Sequence, residues 1–153
     1  MQLSKNFSLD EMCLSPTSIR LGISNVPNTK QIANLQRLVA MILQPVRDHY
    51  GLAVHVDSGY RCPSLNRAVG GAVDSQHMRG EAADIRVHGI PNDELFLFIR
   101  DHIKDFDQLI LERVPATNRH AGWVHVSYAE KLRREAISSP RKGLYVPGVQ
   151  FAF

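Results

Sequence analysis

Three side chains in this sequence could share one metal ion. His77 and Asp84 stand in S-Q-H-M-R-G-E-A-A-D, and His125 follows in G-W-V-H-V-S. Imidazole nitrogen and carboxylate oxygen suit zinc, and a zinc ion that does catalysis commonly keeps three protein ligands and one position for solvent. Such a site can activate water and polarise a carbonyl, which points to a hydrolase. Each residue alone is weak evidence. The chain has seven histidines; His49, His55, His88 and His102 read as exposed or core residues, and Asp84 alone could be a turn former. The weight lies in the combined phrases S-x-H-x-x-G-x-A-x-D and W-x-H-V.

Several elements must bring these residues together. Gly80 permits a turn between His77 and Asp84, and Ala82 and Ala83 leave room for tight packing beside an ion. The His77 region is expected to be extended or looped, with A-A-D-I-R-V leading into a strand. In W-V-H-V-S the two valines should face one way and His125 the other, as alternation in a strand requires. A-V-H-V-D-S and D-Q-L-I-L-E alternate in the same manner. The longest periodic segment runs from about Lys30 to Tyr50, with Ile32, Leu35, Leu38, Val39, Ile42, Leu43 and Val46 on one helical face. Asn28 or Thr29 is the expected cap of that helix, Pro45 should kink or shorten it, and Gly51 should end it. Leu9 to Gly22 reads as a short helix and a turn. Cys62-Pro63 opens a short helix ending at Gly70-Gly71. Asn92 is expected to cap a helix through about Ile103. The tail from Ser138 to Phe153 has two prolines and two glycines and reads as an irregular strap. The order of elements predicts one α+β domain over residues 1–153, with a core of about 3–128. Its sheet should be small and mostly antiparallel, with flanking helices.

Bulk properties exclude some functions. A chain of 153 residues with 44% hydrophobic and 22% charged residues has the composition of a soluble globular domain. The net charge of +3 is mild and the charges are interspersed, so nucleic acid is not an expected partner. A weak attraction to anionic polymers, bacterial wall material included, fits that balance. No apolar stretch is long enough to span a bilayer, and the N-terminus lacks the apolar core of a signal peptide. The expectation is a protein made in the cytoplasm that needs release or delivery to act outside it. Cys13 and Cys62 are read as reduced structural thiols, although spacing alone does not fix whether they meet.

The metal phrases resemble those of a zinc peptidase family that comprises D-Ala-D-Ala carboxypeptidases, D-Ala-D-Ala dipeptidases and phage L-alanyl-D-glutamate endolysins. S-G-Y-R-C-P-S-L-N-R-A-V-G-G-A, L-S-K-N-F-S-L-D-E-M and N-L-Q-R-L-V-A-M-I-L-Q-P-V-R are similar to that family too, so the likeness runs from about Leu3 to Tyr128. It implies one zinc ion held by His77, Asp84 and His125, and a fold shared with the Hedgehog signalling domain. It also implies that Arg61 binds substrate and stabilises a developing oxyanion. In many relatives the general base is an Asp or Glu three residues before the last zinc histidine. That position is Gly122 here, which cannot serve. Glu112, at the end of D-Q-L-I-L-E, is the preferred substitute, provided its strand pairs with W-V-H-V-S; Glu81 is the weaker candidate. Ser75 and Gln76 precede the first ligand and are candidates for substrate binding, with Ser75 equally able to fix the His77 loop. Tyr60 and Trp123 either wall the cleft or belong to the core.

These readings imply a metallopeptidase that cuts a bond of bacterial peptidoglycan stem peptides or cross-links, of D-Ala-D-Ala carboxypeptidase or L-Ala-D-Glu endopeptidase type. Phage-like phrases suggest an endolysin, reaching the wall through a holin or as part of a virion. The alternatives are a non-catalytic zinc domain that binds wall peptides or a protein, and an amidase or dipeptidase acting on small molecules.

Overall fold

The computed structural model describes residues 1–153. Six helices come mostly before or between the strands: α1 (Leu9–Cys13), α2 (Pro16–Leu21), α3 (Thr29–Leu38), α4 (Gln44–Tyr50), α5 (Pro63–Ala68) and α6 (Asn92–His102). The strands are β1 (Val54–Ser58), β2 (Ala82–Val87), β3 (Gln108–Glu112), β4 (Trp123–Ser127), β5 (Glu135–Arg141) and β6 (Leu144–Pro147). They form one sheet in the order β1-β2-β4-β3-β5-β6. Only the β3–β5 pairing is parallel; the other four are antiparallel. The architecture is α+β with a mostly antiparallel sheet, as the element order predicts. No helix is long and apolar enough to cross a membrane.

The long periodic segment is helical from Thr29 to Tyr50. Asn28 caps it through a reciprocal capping box with Gln31, which satisfies two of the N–H groups a helix start leaves unpaired. Pro45 cannot donate to the carbonyl four residues back. The disturbance is absorbed by a π turn at Val39–Leu43, where the Gln44 N–H reaches the Val39 carbonyl. Leu35, Leu38, Val39, Ile42, Leu43 and Val46 are all buried. They pack in one core cluster with Ala83, Ile85, Val87, Leu109, Leu111, Val124 and Val126 from the sheet. One face of the sheet is therefore committed to the helices. The opposite face carries Asp84, Ile110, Glu112, Trp123 and His125.

Four expectations about local structure need correction. Leu9 to Gly22 holds two short helices, each opened by a serine, Ser8 or Ser15, whose hydroxyl accepts from the backbone. The His77 region is a 3-10 turn, Gln76–Arg79, closed by Gly80 in the left-handed region at φ 71°. Asn92 is not a cap: Pro91 holds that position, and the Asn92 side-chain amide donates to the carbonyls of Ala121 and Gly122. The tail is no irregular strap, because β5 and β6 extend the sheet beyond β3. Cys13 and Cys62 are both free thiols.

Candidate metal centre and cleft

Register in the sheet juxtaposes two of the three candidate ligands. Asp84 on β2 lies directly opposite His125 on β4, and His125 lies opposite Ile110 on β3. Strand alternation sends Val124 and Val126 into the core and leaves His125 on the other face, as expected. Asp84 Oδ1 is 3.0 Å from His125 Nδ1. His77 arrives from the 3-10 turn, with its Nε2 3.4 Å from the same carboxylate oxygen. One ligand atom from each residue lies within 4.8 Å of the others, so the three could hold a metal ion. Ligand atoms sharing one tetrahedral zinc would be about 3.3 Å apart, given bonds near 2.0 Å. The two short separations already match that spacing.

The proton inventory also favours a cation here. His77 Nδ1 is 2.7 Å from the Gly59 carbonyl, an oxygen that can only accept, so Nδ1 carries the hydrogen. A neutral His77 then turns a lone pair at Nε2 toward a carboxylate lone pair 3.4 Å away. Two acceptors at that distance need a positive charge between them. A proton is a poor choice, because burial pushes the His77 pKa down. Burial also works against charge on Asp84, but positive charge at His77 and His125 outweighs it and holds the carboxyl well below its usual range; with His77 neutral, a bound cation would supply that charge. A neutral imidazole oriented by a carbonyl, with an ionised carboxylate beside it, is a donor set that fits zinc.

The cluster forms part of the lining of a cleft of about 960 Å³. Arg61, Ser75, Gln76, Glu112 and Trp123 line the same cleft. Glu112 lies opposite Trp123 in the β3–β4 pair, one same-face step from the Ile110–His125 pair. The strand pairing assumed in choosing Glu112 is therefore present. Burial, and then the negative charge of Asp84, push the Glu112 pKa up. Glu81 also lines the cleft, but Arg79 binds it at 2.8 Å. His120 lies outside the cleft lining, in the loop before β4.

Gly122 is fixed by its surroundings. Its φ is 72°, and a Cβ added there would lie 2.3 Å from the Glu112 carbonyl oxygen and 2.7 Å from that of Arg113. No side chain fits without moving the end of β3. The loop that leaves no room for a carboxylate at this position packs against the backbone of Glu112 itself.

Arg61 has a buried Nε without a hydrogen-bond partner, and one terminal nitrogen 3.5 Å from the Ser75 hydroxyl. Burial lowers its pKa, while the charges of Asp84 and Glu112 pull it back up. Ser75 fixes the His77 turn, accepting from the His77 N–H. Gln76 lines the cleft, but its amide donates to Asp107 at 2.8 Å. Trp123 forms part of the wall, with a buried, unpartnered indole N–H and the Arg113 guanidinium 5.2 Å from its ring centroid. Tyr60 corrects the expectation of a cleft wall: it is 4% exposed, lies in the core cluster and is absent from the cleft.

Two supporting groups escaped the sequence reading. Asn25 accepts from the Cys62 N–H and donates to the carbonyls of Cys13 and Tyr60, fixing the segment that carries Arg61. Asp107 receives the Arg133 guanidinium at 2.7 and 2.9 Å as well as the Gln76 amide, tying the His77 turn to the approaches of β3 and β5. Their partners lie 26 to 37 residues away, apart from Asn25–Cys13, so spacing gave no signal. Residues 5–127 match the family described as Peptidase M15. No curated protein matches the chain.

Proposed function

This chain belongs to the peptidase M15 family, and from that premise we propose that it is a zinc peptidase acting on the peptide part of bacterial peptidoglycan. The family makes it a metallopeptidase. The bond class is our own reading: a stem-peptide or cross-link bond of the D-Ala-D-Ala or L-Ala-D-Glu type. The observation that carries it is the meeting of Asp84, His125 and His77 on a cleft face that also holds Glu112.

His77, Asp84 and His125 would hold a single ion. When bound, that ion supplies Lewis acidity toward a scissile carbonyl and makes water more acidic. Glu112 is the general base in this reading. A carboxylate with a raised pKa accepts a proton from the attacking water more readily, and can return it to the departing amine. Arg61 binds the substrate carbonyl, and its hold strengthens as negative charge develops on that oxygen. Its desolvated Nε and lack of a firm partner leave it able to take a substrate oxygen. Ser75 and Gln76 hold the His77 turn rigid, and Trp123 walls the cleft against water. An endolysin role, with release through a holin or delivery in a virion, is part of the same proposal and rests on the phage-like phrases alone.

Incubation of zinc-loaded protein with defined muropeptides, followed by mass spectrometry, tests the reading. New amines at one peptide bond are the expected result. Binding without products would replace hydrolysis by wall-peptide recognition. Cleavage confined to free dipeptides would overturn the polymer as substrate.

A further inference from the structure

We propose that Lys142 forms a subsite for an acidic group, pairing with a carboxylate carried by the peptide substrate. The inference rests on the peptidase reading above and narrows its substrate class. Lys142 and Gly143 make the two-residue turn between β5 and β6, with Arg141 paired to Leu144. This hairpin lies beyond residue 127, where the family match ends. It continues the sheet past β3, the strand of Glu112, and contributes Ser139, Lys142, Gly143 and Tyr145 to the cleft.

The lysine reaches across the cleft. Gly70, after α5, belongs to the opposite rim, and a Cβ built on it would lie 3.6 Å from Lys142 Nζ, with no other atom within 4 Å beyond Gly70 and its chain neighbours. The ammonium thus stands beside bare backbone on the far side. It has no ion pair there, and neither has Lys131 in the same lining, whereas the cleft cations Arg79 and Arg133 are paired with Glu81 and Asp107. Arg113, next along the chain from Glu112, lies over Trp123. On the wall made by β3 and the hairpin, Glu112 offsets the charge of Arg113, while Lys142 at the hairpin tip stands in no ion pair. A peptide running along the cleft passes beside the point where Lys142 meets the Gly70–Gly71 segment. A carboxylate on it at that point meets an ammonium that no protein group has claimed. Lysine suits the task, since its compact charge on a flexible stem can follow the substrate.

The test uses stem-type peptides that differ in one group. One pair has a free or amidated C-terminus, and a second pair has a free or amidated glutamyl side chain. For the zinc-loaded protein, amidation of the recognised carboxylate should lower kcat/KM by about fivefold, the scale of one partly exposed charge-assisted contact. Lys142→Met should lose the same factor on the acid and nothing on its amide, and Lys142→Arg should keep most of the preference. Which pair responds identifies a terminal or a side-chain carboxylate. Calorimetric binding of the same peptides to the Glu112→Gln protein, with and without Lys142→Met, separates this inference from the peptidase reading. If no peptide is cut, hydrolysis fails, while an acid-over-amide preference that depends on Lys142 still upholds the subsite. Equal treatment of acids and amides, or an equal loss on both in Lys142→Met, overturns it.

Discussion

Gly122→Ala should cost far more than an ordinary left-handed glycine, and the structure gives the size of the effect. Any L-residue at φ 72° sacrifices about 1 kcal/mol relative to glycine. The new methyl would also stand 2.3 Å from the Glu112 carbonyl oxygen, where real contacts stay above 3.0 Å. That oxygen belongs to backbone, so β3 must retreat by at least about 0.7 Å. Retreat strains the Glu112–Trp123 pairing and the Arg113 N–H bond to the Ser139 carbonyl, worth about 1 kcal/mol for each hydrogen bond lost. The sum is about 2–4 kcal/mol. Gly89→Ala is the control, because Gly89 has φ 79° and nothing within 4 Å of its added Cβ, and should lose only about 1 kcal/mol. Urea unfolding of the two variants, with equal m-values, measures the difference. Equal losses would show that Gly122 does not press on β3 and would remove the account of why no carboxylate stands there.

Glu112→Gln should retain bound zinc and lose about 10²–10⁴ in kcat, the usual contribution of a general base; full turnover on muropeptides would return the search to Glu81. His125→Ala should lose zinc and activity together, and elemental analysis finding one tightly held ion after dialysis would contradict the assigned ligand set. Asp107→Asn should flatten acid unfolding. Burial would raise the Asp107 pKa, but the Arg133 side chain and backbone and the Gln76 amide outweigh it and hold it below 3.8. Its contribution is thus complete above that value and fades as pH falls through the lower, folded-state pKa. The variant should lose about 1–2 kcal/mol at pH 7 and approach the parent as pH falls through the folded-state value, read from stability curves against pH; parallel curves would refute the role.

The readable parts of this protein are those in which short-range pattern and final burial agree. The helix from Thr29 to Tyr50 shows its apolar face in the spacing of Leu35, Leu38, Ile42 and Val46, and all four are in the core. β4 reveals the direction of His125 through the valines on either side. The tail was hidden because its strands are built by partners. Glu135–Arg141 contains Ser138, Ser139 and Pro140 and has little alternation. It becomes a strand by pairing in parallel with β3, and the register shift between Ser138 and Arg141 gives Pro140 an irregular position that needs no ladder N–H. Tyr60 takes the core reading of its two for a related reason. It adjoins Arg61, yet the Tyr60 N–H binds the Met12 carbonyl, a contact 48 residues back in the chain that draws this residue against the core.

The same distinction bears on Glu112, the proposed base. A motif compares residues along the chain, whereas a base must share a cleft face with the metal ligands. The turn at Gly122 is pinned by the Asn92 amide, which holds the Ala121 and Gly122 carbonyls. So pinned, it lies against the backbone of Glu112, leaving no volume for a side chain at its own position. In register, Glu112 stands opposite Trp123, the residue immediately after Gly122, on the face that carries His125. The exclusion of a side chain at Gly122 and the position of Glu112 beside it thus belong to a single packing arrangement. A carboxylate engineered at Gly122 would have to displace the β3 end that holds Glu112, so Gly122→Glu should weaken the fold and should not rescue the turnover lost in Glu112→Gln.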